Sequence, residues 1–123
     1  MGAGDITTGR LDPSTFLPLR AVEFQIVLSL SEGDKHGYAI IQDARDRGEG
    51  AAVPGLATLY RALRRLESEG LVERTGGQDL AEERRRTLRL TLLGRRVAQA
   101  EARRLSRMIR AARDFELLGE ADA

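Results

Sequence analysis

Leu56-Ala57-Thr58-Leu59-Tyr60-Arg61-Ala62-Leu63-Arg64-Arg65-Leu66-Glu67-Ser68-Glu69-Gly70-Leu71 decides the fold. Leu56, Leu59, Leu63 and Leu66 recur at helical spacing and share one face, while Thr58, Arg61, Arg65 and Ser68 fall mainly on the other. The helix has a readable end. With Gly70 at the left-handed C′ position, Leu71 becomes C″ and Leu66 becomes C3, the apolar pair that meets in a Schellman motif.

Downstream, two strands are expected at about 71–75 and 84–90, joined by the polar loop 76–83, because Leu88 and Leu90 alternate with Thr87 and Arg89. Thr91 can then cap a long helix that runs to about Phe115. Its Ala98, Ala102, Leu105, Ile109 and Ala112 alternate in spacings of four and three, a heptad seam broadened by Val97, Met108 and Phe115. Such a seam on a helix following a small domain is expected to pair with a second subunit. Arg103, Arg104, Arg107 and Arg110 are read as the outer face of that helix.

Upstream, Leu19, Val22, Ile26 and Leu30 form a helical stripe over about 18–30, widened by Phe24 and Leu28. A second helix over about 37–47 is expected to place Tyr38, Ile41 and Ala44 on one face. Gly48 and Gly50 open a loop that closes at Pro54. The order helix, helix, helix, strand, strand, helix is that of a winged helix-turn-helix, mainly α with a small β-hairpin. The expected division is a loose tail at 1–15, a DNA-binding domain at 16–91 and a dimerisation helix at 92–118.

Composition agrees. In 123 residues, 16 alanines and 18 leucines stand against only 10 valines and isoleucines, a balance that favours helices over strands. The net charge of +1 hides an asymmetry, since residues 61–113 carry 15 arginines and 7 acids. A basic segment of this kind suits an anionic polymer, and arginine's planar fork suits phosphate and guanine edges. Absence of cysteine and a single histidine, His36, exclude thiolate metal sites and make a histidine zinc site implausible. No cofactor is expected. Neither a phosphate loop nor a nucleophile motif stands at a meaningful spacing, so the chain is read as non-enzymatic. No apolar run approaches the roughly 20 residues that span a bilayer and no signal peptide is visible, so the expected location is the cytoplasm.

The outward side of the third helix presents Thr58, Tyr60, Arg61, Arg64 and Arg65, and the second strand opens with Arg84, Arg85 and Arg86 where a wing would meet phosphate. Tyr38 joins these as a candidate DNA contact. Val53 offers no side-chain cap and Pro54 fits a first helical turn, so this helix start, Pro54 with the free amides near Gly55 and Ala57, is expected to meet a DNA phosphate.

Three segments together resemble one family. His36-Gly37-Tyr38-Ala39-Ile40-Ile41, Thr58-Leu59-Tyr60 through Leu66-Glu67 with Glu69-Gly70-Leu71-Val72, and Arg84-Arg85-Arg86 with Arg89-Leu90-Thr91 and Gly94 are similar to the signature segments of PadR-type transcriptional regulators. The resemblance covers about 17–112 and implies a homodimeric winged-helix repressor of the short form, with one carboxy-terminal helix. Its first and last helices would form the dimer contact, through Leu19, Val22, Ile26, Ala98, Ala102, Leu105, Met108, Ile109, Ala112 and Phe115. The implied partners are a roughly palindromic double-stranded operator and a second copy of the chain, with release by a small-molecule effector a further reading. Leu88 stands where the family usually has an aromatic residue, so wing packing is expected to differ. A winged-helix module that binds another protein through its last helix is the alternative.

Overall fold

The computed structural model describes residues 12–47, 55–75 and 87–119. It contains α1 (Ala21–Leu30), α2 (Gly37–Arg47), α3 (Leu56–Ser68), β1 (Val72–Arg74), β2 (Leu88–Leu90) and α4 (Leu92–Asp114). This is the mainly helical, single-hairpin architecture expected. The greater part of the expected tail lies outside the described residues, but its end is ordered. Pro13–Phe16 form a 3-10 turn against α4, with the Asp12 carboxylate accepting the Ser14 N–H at 2.9 Å.

α1 lies at the centre and packs on α2, α3, α4 and β2. Its Ile26, Val27 and Leu30 are fully enclosed, together with Ile40 of α2, Leu63 and Leu66 of α3, Leu88 of β2 and Leu93 and Val97 of α4. Leu88 therefore fills the core beneath the wing itself. The first helix starts at Ala21 rather than near Pro18, because Arg20 is extended and its N–H is received by Glu23 at 2.9 Å.

The end of α3 and the start of α4 form one joint. Gly70 has φ +79°, Leu71 N–H bonds Leu66 C=O at 2.9 Å, and Gly70 N–H bonds Glu67 C=O at 3.1 Å, which completes the expected Schellman motif. Thr91 caps α4 through Gly94 N–H at 2.9 Å, and its hydroxyl also donates to Gly70 C=O at 2.6 Å. The Thr91 N–H bonds Leu71 C=O at 3.1 Å.

β1 and β2 pair antiparallel, Val72 with Leu90, Glu73 with Arg89 and Arg74 with Leu88. The second strand begins at Leu88, and residues 84–86 of the longer strand expected lie outside the described residues. A bridge the sequence reading missed ties Lys35 to Leu88, through N–H···O bonds of 3.0 and 2.8 Å. Buried Ser29 donates its hydroxyl to Asp43, which also holds the Lys35 ammonium, while Glu32 receives Lys35 at 2.5 Å. One polar cluster thus fastens the end of α1, the middle of α2 and the approach to the wing.

Within that cluster the Lys35 ammonium, and then the Ser29 hydroxyl, hold the Asp43 carboxyl below the usual carboxylate range. A lowered folded-state value stabilises the fold above the unfolded value, near 3.9 for aspartate, and the gain is lost as pH falls through the folded value. Asp43→Asn is therefore expected to lower stability by about 1 kcal/mol at neutral pH. In urea unfolding the gap to the wild type should shrink below about pH 4. A gap independent of pH would separate Asp43 from the acid response.

Candidate nucleic-acid interface

α3 is anchored by Leu59, Ala62, Leu63 and Leu66, which leaves Ala57, Thr58, Arg61, Arg64 and Ser68 on an exposed opposite face. Arg61 donates to the Thr58 hydroxyl at 3.3 Å. Neither Arg61 nor Arg64 is ion-paired among the described residues, and both are exposed. Arg65 differs. Its Nε lies 3.5 Å from the carboxylate of buried Glu23 and 3.7 Å from Glu69, so it fastens α3 to α1 as well as lying on the exposed rim.

Two residues that share a helical face with core positions prove to be surface residues. Leu56 is 56% exposed and Tyr38 is 66% exposed. Leu56 is the first residue of its helix and projects past the end of the core. In α2, Ile40 takes the inward place expected of Tyr38, beside Ile41 and Ala44. The Tyr38 hydroxyl receives a bond from Gln42 at 2.6 Å. Tyr60 is 40% exposed and its ring adjoins Gly37 at the start of α2. Tyr60 therefore sits where α3 meets the start of α2, and Tyr38 stands exposed on α2.

The α3 N-cap is Gly55, with no side chain capping the helix. The helix thus begins at Leu56, later than a first turn containing Pro54 would require, and Pro54 itself lies outside the described residues. Arg84, Arg85 and Arg86 also lie outside them. The wing's base is fixed nonetheless, by Thr75 N–H to Thr87 C=O at 2.8 Å and by the Glu73–Arg89 pair at 2.8 Å. A bidentate Arg74–Glu67 pair at 2.7 and 3.1 Å joins β1 to α3.

On the far side of the domain, the first ten residues of α4 pack on the core through Leu93, Gly94, Val97 and Glu101. The Glu101 carboxylate receives Leu19 N–H at 2.9 Å and the Arg104 fork at 2.5 and 3.0 Å. Arg104, and then the Leu19 amide, draw its carboxyl below the usual range. Arg104 is therefore not simply an outer-face residue. Beyond Glu101 the helix leaves the core: Ala102, Met108, Ile109 and Phe115 are exposed, and Leu105 and Ala112 half-buried. A cavity of about 400 Å³ between α1 and α4 is bordered by Phe24, Leu28 and Leu105.

The candidate contact residues on α1 and just ahead of it divide. Leu19 and Ile26 are buried inside their own chain, Ile26 completely, because α1 sits between α3 and α4. They belong to the core and are not available to a partner. Val22 is half-buried, and Ala98 packs against the edge of the core. Among the described residues no group of acidic or histidine side chains is arranged for a metal ion, and no helix is long and apolar enough to cross a membrane.

Comparison with known proteins places these features in a context. Residues 26–100 match the model of the transcriptional regulator PadR-like family. The fold is similar to the crystal structure of a PadR family transcription regulator from hypervirulent Clostridium difficile, with TM-score 0.65 and 24% identity over 78% of this chain and 98% of that one. It is similar also to a transcriptional regulator from Clostridium thermocellum, with TM-score 0.64 and 28% identity over 76% of this chain and 88% of that one. No curated protein matches the chain.

Proposed function

Since the chain belongs to the transcriptional regulator PadR-like family, we propose that it is a homodimeric, sequence-specific DNA-binding repressor acting in the cytoplasm on a nearby promoter. The family is one of regulators, not enzymes. The observation that carries the more specific reading is the exposed face of α3. There Thr58, Arg61 and Arg64 point away from a leucine-anchored core, with Tyr60 partly exposed on the same helix. In a helix-turn-helix that face enters the major groove and the wing lies over the flanking backbone. Arg61, Arg64 and the edge of Arg65 neutralise phosphates or meet guanine, and the uncapped amides near Gly55 and Ala57 receive a phosphate. Arg84, Arg85 and Arg86, which lie outside the described residues, are assigned to phosphate contact on the strength of the sequence alone. Residues 16–91 serve as the DNA-binding unit and 92–118 as the pairing element. Two copies joined by α4 would set their recognition helices about 34 Å apart, on successive turns of a roughly palindromic operator. Release by a small molecule is compatible with the cavity beside α1 and α4.

Fluorescence anisotropy on the DNA upstream of the protein's own gene, and on a scrambled duplex, tests the reading across a salt series. Binding is expected to be at least 1,000-fold tighter, an order-of-magnitude figure, on the upstream duplex. Arg64→Ala should weaken both complexes and reduce the salt slope by about one. Equal, weak binding to both duplexes that vanishes with salt would reduce the site to a basic surface without specificity.

A further inference from the structure

We propose that Leu56 and Ala57 read the 5-methyl groups of thymines, making the first turn of α3 an apolar sequence-reading element. The inference rests on the reading that α3 enters the major groove. The amino-terminal residues of a recognition helix are those that reach base edges. In this chain Gly55, Leu56 and Ala57 are all exposed and none carries a polar side-chain atom; the first is Thr58. Any side-chain readout ahead of Thr58 must therefore be apolar. The major groove offers one apolar group at its base edges, the thymine methyl.

Leu56 has no other employment in the described fold. More than half of it is exposed, outside the Leu59–Leu63–Leu66 anchor. Tyr60, one helical turn along on the same side, is also partly exposed, so the apolar strip continues toward the start of α2. Ala57 lies on the outward face, one helical turn before Arg61. Its single methyl permits close approach to the groove floor. At Gly55 an added Cβ would meet nothing within 4 Å among the described residues, so the helix start is open on its outer side.

The test begins with selection from a randomised duplex pool by the wild type and by Leu56→Ala, a change outside the buried core. The wild type is expected to enrich thymine at one or two positions of each half-site, where the variant relaxes its preference. Replacing those thymines by uracil removes only the methyl groups. Wild-type affinity should then fall about fourfold for each methyl lost from an apolar contact. Leu56→Ala should show a smaller loss at the position Leu56 covers. Equal wild-type affinity for thymine and uracil duplexes would overturn the inference while leaving specific DNA binding intact. A wild type that enriches no sequence would overturn the groove-entry reading and this inference with it.

Discussion

Gly94→Ala is expected to destabilise the fold by about 3 kcal/mol, with a fall in Tm on the order of 10–20 °C. Helix propensity alone has the opposite sign, since alanine in place of glycine inside a helix gains about 1 kcal/mol. Packing decides the outcome. A Cβ on Gly94 would stand 1.9 Å from the carbonyl oxygen of Leu71, 2.9 Å from its carbonyl carbon and 3.2 Å from its Cα. All three atoms are backbone, so no rotamer change relieves the clash. Leu71 is also held from both sides, by its N–H to Leu66 and by the Thr91 N–H to its C=O, and its side chain is wholly buried. The α4 axis would have to lift away from the α3 turn, opening the joint that caps both helices. Thermal and urea unfolding of the variant measure this directly. Stability equal to or above that of the wild type would show that the joint yields and that propensity wins.

That joint also explains why much of the fold was legible. Gly70, Leu71 and Thr91 act on neighbours three to five residues away, so cap chemistry constrains them wherever the rest of the chain goes. Long apolar stripes in α3 and α4 were equally readable, because periodicity assigns a face without reference to what covers it. Periodicity does not say where the core ends. Leu56 keeps the register of the α3 stripe yet lies beyond the packed layer, and Ile26 keeps the register of a contact face yet is enclosed by its own chain.

Long-range polar pairing was not legible. Local spacing pairs Glu23 with the Arg20 N–H and Glu101 with Arg104, but it does not reveal their other partners, Arg65 and the Leu19 amide, which lie 42 and 82 residues away in sequence. Nor does one charged residue in a turn announce a strand, so the Lys35 bridge to Leu88 escaped notice. For the interface the consequence is specific. Of three arginines read from α3 as equivalent, Arg65 is partly committed to joining α3 and α1, and Arg61 and Arg64 carry the outward charge. The acidic side of the α3–α1 pair is Glu23, whose own backbone partner, Arg20 N–H, starts α1.

The largest effect on function is expected from Ile109→Asp, although it lies far from the α3 face. The 23 residues of α4 make a rod of about 35 Å, and its last buried residue is Glu101. More than half of the helix therefore extends past the core, carrying Leu105, Ile109 and Ala112 at intervals of four and three, broadened by Met108 and by Phe115 at the C-cap. On the proposed reading, this open apolar seam pairs with a second copy of itself about a two-fold axis. In sedimentation velocity the wild type should run as a dimer, and Ile109→Asp as a monomer because two carboxylates would be buried against an apolar seam. Helix content should be unchanged, since Ile109 is about half exposed and lies outside the core. Two linked recognition helices raise the effective concentration of the second half-site contact, so affinity for a full operator should drop by on the order of 100-fold or more. Affinity for an isolated half-site should hardly move, and that separates loss of pairing from damage to the α3 face. A monomeric wild type, or an Ile109→Asp protein that stays dimeric and binds the full operator normally, would remove α4 from the pairing role and leave its seam for a different partner.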